Sequence, residues 1–144
     1  MKKTVCYLLF LSLMACGSNS LKNAEAKNSS GNFEVIYRSI YSGLPQKTYR
    51  VIRNNEDFRA FFISMKEDKV PEVNFETSNV LILNMGRKNT GGYDVFPEKM
   101  IDDGNKVIMI IKEVFPQKGD MVTTALTSPI CIVKINSKKE IIIK

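Results

Sequence analysis

Few residues in this chain can do acid–base or metal chemistry. Its 144 residues include no histidine and no tryptophan. Without imidazole the commonest general base and the commonest metal ligand are both missing. Ser-His-Asp and Cys-His arrangements are excluded, as is a thiolate–imidazole zinc site. Carboxylate pairs replace histidine in glycosidases, where two must face one cleft. The candidates here are Glu56, Asp57, Asp102 and Asp103. The first two stand where a helix should begin and the last two in a turn, so each has an ordinary structural role. Asp102-Asp103-Gly104-Asn105 lacks the ligand spacing of an EF-hand and reads as a hairpin turn. The Gly86 to Gly91 spacing runs on into Gly92 and Tyr93 rather than Lys-Ser/Thr, which excludes a Walker phosphate loop. A Ser–Lys pair is left open by composition. The expectation is a chain that is not an enzyme and uses no cofactor and no metal. The formal charge is +6. It is not gathered into a Lys/Arg cluster or an Arg–aromatic pattern, so nucleic acid is not the expected partner.

The three cysteines have different prospects. Cys6 lies in a leader in which Lys2 and Lys3 precede an apolar run from Val5 to Met14 and then the small Ala15. That order is the signature of an export signal. The run is too short to span a bilayer. Leu13-Met14-Ala15-Cys16 resembles the lipobox of bacterial lipoproteins. The resemblance implies that the Cys16 thiol takes a diacylglycerol, that the chain is cut just before it, and that the new amine is acylated, palmitate being one such acyl group. Each buried methylene contributes about 0.8 kcal/mol, so two or more chains anchor firmly. Gly17-Ser18 puts no Asp after the lipid cysteine, which favours the outer membrane if the organism has two. Residues 17–32 are rich in Ser, Asn, Gly and Lys and cannot bury enough apolar surface to order themselves. The expected organisation is a signal peptide over 1–15, a lipidated flexible tether over 16–32 and one folded domain over 33–144. The partner common to all of these is a membrane in the cell envelope, reached through lipid on Cys16. Cys131, among Ile130, Ile132 and Val133, reads as a buried small hydrophobe with no imidazole to activate it.

Two further stretches carry candidate binding residues. One is Gly86-Arg87-Lys88-Asn89-Thr90-Gly91-Gly92-Tyr93. The other is Thr127-Ser128-Pro129, leading into Ile130 to Ile135. Paired glycines permit positive φ and close backbone approach, and a proline opening a strand costs no ladder donor. Together with Pro71-Glu72-Val73-Asn74-Phe75, these stretches resemble the PrcB C-terminal domain family, bacterial proteins related to a subunit of a protease complex. Asn74 stands where the family's motif has Asp, and Ile130 where it more often has Tyr. The resemblance runs from about Val51 to Ile135. It implies a lipoprotein that associates with, or stabilises, a protease, with no catalytic residues. Arg87, Thr90, Gly91, Gly92 and Tyr93, with Thr127, Ser128 and Pro129, would form the protein-contact face. Thr90-Gly91-Gly92-Tyr93 is also similar to the Thr-Thr-Gly-Tyr loop of chagasin-type protease inhibitors, although a chain without Trp cannot supply their partner loop. A third reading is an envelope ligand-binding module, with Tyr37, Tyr41, Tyr49 and Tyr93 lining one groove.

The elements that must position these residues are mostly strands. Phe33, Val35, Tyr37 and Tyr41 alternate, which predicts a strand with all four on one face. Lys47 to Asn54 (KTYRVIRN) predicts a second strand, with Tyr49 and Val51 on one face, paired to the first as a hairpin. Phe58, Phe61, Phe62 and Met65 have helical spacing behind a cap at Asn54 or Asn55, with Glu56 and Asp57 complementing the helix dipole. Further strands are expected at Val80–Met85, Tyr93–Met100, Lys106–Val114, Val122–Leu126, Pro129–Ile135 and Glu140–Ile143. The expected fold is α+β: a mostly antiparallel curled sheet or partial barrel of about seven or eight strands with one packed helix.

Overall fold

The computed structural model describes residues 32–144. The leader, Cys16 and all but the last residue of the tether lie outside the described residues. Seven strands and one helix follow in the order β1 (Phe33–Ser39), β2 (Thr48–Ile52), α1 (Asn55–Ser64), β3 (Asn79–Asn84), β4 (Asp94–Asp102), β5 (Lys106–Val114), β6 (Ile130–Ile135) and β7 (Glu140–Ile143).

The strands form two separate sheets, not one curled sheet or a partial barrel. One has the order β1-β6-β3-β2 and the other β4-β5-β7. The reason lies in the two central strands. Every residue of β3 is buried, and so are all of β6 except Lys134. Such strands carry apolar side chains on both faces, and each face needs its own cover. Leu81, Leu83, Cys131 and Val133 pack against Val95, Val107 and Met109 of the second sheet. Val80, Ile82, Ile130 and Ile132 pack instead against Phe58, Phe61 and Phe62 of α1. The result is three layers: helix, four-stranded sheet, three-stranded sheet.

The helix forms where its signals stand. The Asn54 side chain accepts the Asp57 N–H at 2.8 Å, which makes it the N-cap. Phe58, Phe61 and Phe62 are fully buried. Their rings meet edge to face, with Phe58 and Phe62 centroids 5.0 Å apart and Phe62 reaching Tyr37 at 5.6 Å. Each such pair contributes about 0.5–1.5 kcal/mol beyond its buried area. Lys66 takes the left-handed conformation, φ 60°, and the Glu67 N–H returns to the Phe62 carbonyl at 3.1 Å, closing the helix.

Three sequence expectations are corrected. β1 and β2 are not a hairpin; they are the opposite edges of one sheet. The alternation of β1 is broken by a bulge at Ile36, since Val35 pairs with Val133 but Tyr37 pairs with Ile132. One extra residue reverses the faces that follow. Phe33 and Val35 therefore face the second sheet while Tyr37 faces the helix. Finally, Val122–Leu126 is no strand. That segment makes isolated hydrogen bonds to a loop rather than a ladder, for reasons given below. The Asp102–Asn105 turn does join β4 to β5, its carboxylates accepting the Gly104 and Lys106 N–H groups at 2.9 Å each.

Candidate functional site

The two stretches singled out by sequence meet at one end of the sheets. After β3 the chain leaves the four-stranded sheet for the three-stranded one, and the crossing is residues 85–93. Gly86 makes the turn at φ 75°, and a Cβ there would stand 2.7 Å from the Lys47 nitrogen, so only glycine fits. The Arg87 N–H then donates to the Pro45 carbonyl at 2.9 Å. Lys88 and Thr127 exchange two backbone hydrogen bonds, 2.8 and 3.0 Å. The Thr127 hydroxyl donates to the Thr90 carbonyl at 2.8 Å. The Gly91 N–H donates to the Thr123 carbonyl at 2.9 Å. Gly92 follows with φ 85°, and a Cβ on it would lie 3.0 Å from both Pro116 and Val122. Residues 122–127 are thus committed to the glycine loop, which is why they form no strand.

The same end is tied to the first edge. Ser128 donates its N–H to the Ile40 carbonyl at 2.8 Å and accepts the Gly43 N–H at 2.9 Å. Asn84, fully buried, accepts from the Leu44 N–H at 3.0 Å and donates to the Leu44 and Gln46 carbonyls at 3.1 and 2.6 Å. Among the described residues no buried side-chain nitrogen or oxygen lacks a partner. This is polar satisfaction inside a loop cluster, where an unmade bond would cost about 1–3 kcal/mol.

Burial divides the eight candidate contact residues. Thr127, Ser128 and Pro129 are buried and hold the loop in place. Arg87 and Gly92 are exposed, while Thr90, Gly91 and Tyr93 are half-buried. Tyr93 packs on the inter-sheet core, meets Phe115 edge to face at 6.1 Å, and lies 5.3 Å beneath the Lys88 ammonium. Around this loop stand large apolar side chains that sequence reading did not pick out. Phe115, Leu126 and Ile40 are exposed and Met121 is fully so; Tyr41, already named for the groove, is as exposed as Leu126. Leu126 stood in the expected strand Val122–Leu126, while Phe115 and Met121 stand between the expected strands, where no local signal marks them.

The supposed tyrosine groove does not exist. Tyr37 packs on the helix side of the first sheet, whereas Tyr49 and Tyr93 pack on the other side. Tyr49 instead closes the gap between the sheets. Its hydroxyl donates to Glu113 at 2.8 Å, and Lys47 reaches the same oxygen at 2.6 Å. Burial and the adjacent carboxylate raise the Tyr49 phenol pKa; the Lys47 hydrogen bond, opposed by slight burial and aided by Tyr49, lowers that of Glu113. Cys131 is buried, and burial pushes its thiol up to about 12, so it is a neutral packing residue at physiological pH. Among the described residues no three acidic or cysteine side chains gather to hold a metal ion, and no helix is long and apolar enough to cross a membrane. Two open grooves lie beside α1, of about 380 and 390 Å³.

The architecture defines a class: a two-sheet β domain with one covering helix and one end built from loops. Residues 79–136 match the family described as PrcB C-terminal, and over that span the chain is a PrcB C-terminal domain. The span runs from β3 through β6, includes both candidate stretches, and begins later than the resemblance at Val51. No curated protein and no solved structure matches the chain.

Proposed function

We propose that this chain is a membrane-anchored, non-catalytic protein-binding lipoprotein, serving as an accessory or stabilising subunit of a cell-envelope protease. One observation carries the binding role: exposed Phe115, Met121 and Leu126 surround a loop that many hydrogen bonds hold still. Large apolar side chains clustered on a rigid surface mark contact sites, because binding then orders little that was free. The partner class comes from the family: PrcB C-terminal domains are related to a protease-complex subunit. The anchor is lipid on Cys16, which would keep the domain near the envelope surface. The inhibitor reading needs a loop that stands clear to enter a cleft, and Gly91 is bonded to Thr123 while Tyr93 is packed on Phe115.

Gly92 is the wrong place to test this, because a side chain there strains the loop itself. Met121→Ser and Leu126→Ser touch only solvent-facing groups. Affinity capture from the native envelope should recover a protease with the wild-type chain and lose it with the double variant, both being equally folded by circular dichroism. Recovery of the same partner by the double variant would place the contact elsewhere.

A further inference from the structure

A second surface is the free edge of β2, whose first residues adjoin the loop end. Two sheets leave four edges: β1, β2, β4 and β7. β1 carries the bulge at Ile36 and β4 a bulge at Glu98 beside Pro97. Both features discourage a further strand from pairing. β7 is only four residues long. β2 keeps an unbroken antiparallel register with β3 over all five of its residues. An edge strand turns alternate N–H and C=O groups away from its neighbour. Among the described residues, no backbone hydrogen bond from outside the sheet reaches those of Thr48 to Ile52.

Beside that edge runs one of the open grooves, about 380 Å³, between β2 and α1, lined by Leu44, Thr48, Arg50, Asp57, Phe61 and Ser64. Its floor is apolar: Phe61 is buried, and the Arg50 guanidinium lies 5.1 Å from its ring centroid. An edge strand flanking a helix-walled groove is the arrangement in which a peptide adds as one more strand. Charge selects its chemistry. Arg50 and Arg53 are exposed and form no ion pair among the described residues, while Lys47 is already held by Glu113. The one carboxylate lining the groove, Asp57, sits on the helix side and is bonded to Asn54 Nδ2 at 2.7 Å. A second copy of β2, paired antiparallel about Arg50, would set that arginine against its own counterpart, so like charges oppose self-pairing.

The geometry points to β2 and α1 as a docking site for an extended acidic segment of a partner protein, added antiparallel to β2 with its carboxylates on Arg50 and Arg53. The site is distinct from the glycine-loop face and does not depend on it. The test uses the isotopically labelled full chain and three synthetic heptapeptides: one alternating Glu with Val, its Lys counterpart, and the Glu peptide N-methylated at alternate amides. The Glu peptide should shift the amide resonances of residues 47–53 and 55–64. The Lys peptide should not bind. N-methylation, which removes the ladder donors, should abolish binding without touching the protein. Arg50→Gln, which retains a stem over Phe61, and Arg53→Gln should each weaken the Glu peptide roughly two- to fivefold, the range of an exposed ion pair. Equal binding of Glu and Lys peptides, full binding of the N-methylated peptide, shifts confined to residues 86–128, or no binding at millimolar peptide would each overturn the assignment.

Discussion

Thr127 is a small residue with a large share of the work at the loop end. Its backbone pairs with Lys88 and its hydroxyl holds the Thr90 carbonyl, so one side chain fixes the distance between two segments 37 residues apart. Thr127→Val keeps the shape and removes the hydroxyl, leaving a carbonyl in a closed setting without its donor. The expected cost is about 1–2 kcal/mol of stability, read by denaturant unfolding. Amide exchange should quicken in residues 86–93 and stay unchanged in α1. Exchange that rises evenly across the chain would mean the hydroxyl has no local positioning role. In sequence Thr127 was legible as a candidate, but as a contact residue. Its burial was not legible, because nothing local says that residues 122–127 lie along the glycine loop instead of forming the expected strand Val122–Leu126.

At the scale of elements, α1 was the most legible part of the chain. Its cap, its acidic first turn and its apolar spacing are all local signals, and all three hold. β3 and β6 were legible as strands, and their unbroken apolar runs already contained the reason for two covering layers. Which strands paired was not legible. Pairing depends on long-range register, and the single inserted residue at Ile36 turns the rest of β1 over without any mark in the periodicity. The helix layer also yields a measurable consequence. Phe62 is fully buried and touches Tyr37, Phe58 and Phe61. Phe62→Ala should cost about 3–5 kcal/mol. Phe62→Leu, which refills much of the volume, should recover most of that loss in a thermal melt. Equal losses for both would show that the ring edges, not the filled volume, hold the helix on the sheet.

Across the described residues, the two sheets are joined by packing and by two polar links, Arg38 of β1 on Asp94 of β4, and Lys47 and Tyr49 on Glu113. Glu113 has its pKa lowered, foremost by the Lys47 hydrogen bond. A depressed carboxylate contributes stability above its unfolded value, and that contribution is lost as pH falls through the folded value. Glu113→Gln should therefore be less stable than wild type at neutral pH, with the difference shrinking as the pH falls through the carboxylate range. A difference that stays constant down to pH 3 (about one unit below an ordinary glutamate) would mean that the charge is not what ties the sheets. The same link anchors the ends of β2 and β5 next to the glycine loop, so sheet packing and the candidate face are parts of one construction. The loop end itself was half legible. The glycines, Tyr93 and Thr127–Pro129 announced it, whereas Phe115, Met121 and Leu126 did not, since exposure of an apolar residue is a property of the assembled fold.

The central claim is that this apolar loop end meets a protein in the envelope. A photo-crosslinking residue at Met121, compared with one at the exposed Ile101 on β4, outside both proposed surfaces, tests it in place. A discrete crosslinked protein is expected from position 121 and none from position 101. Crosslinks of equal yield from both positions, or from position 101 alone, would contradict the claim.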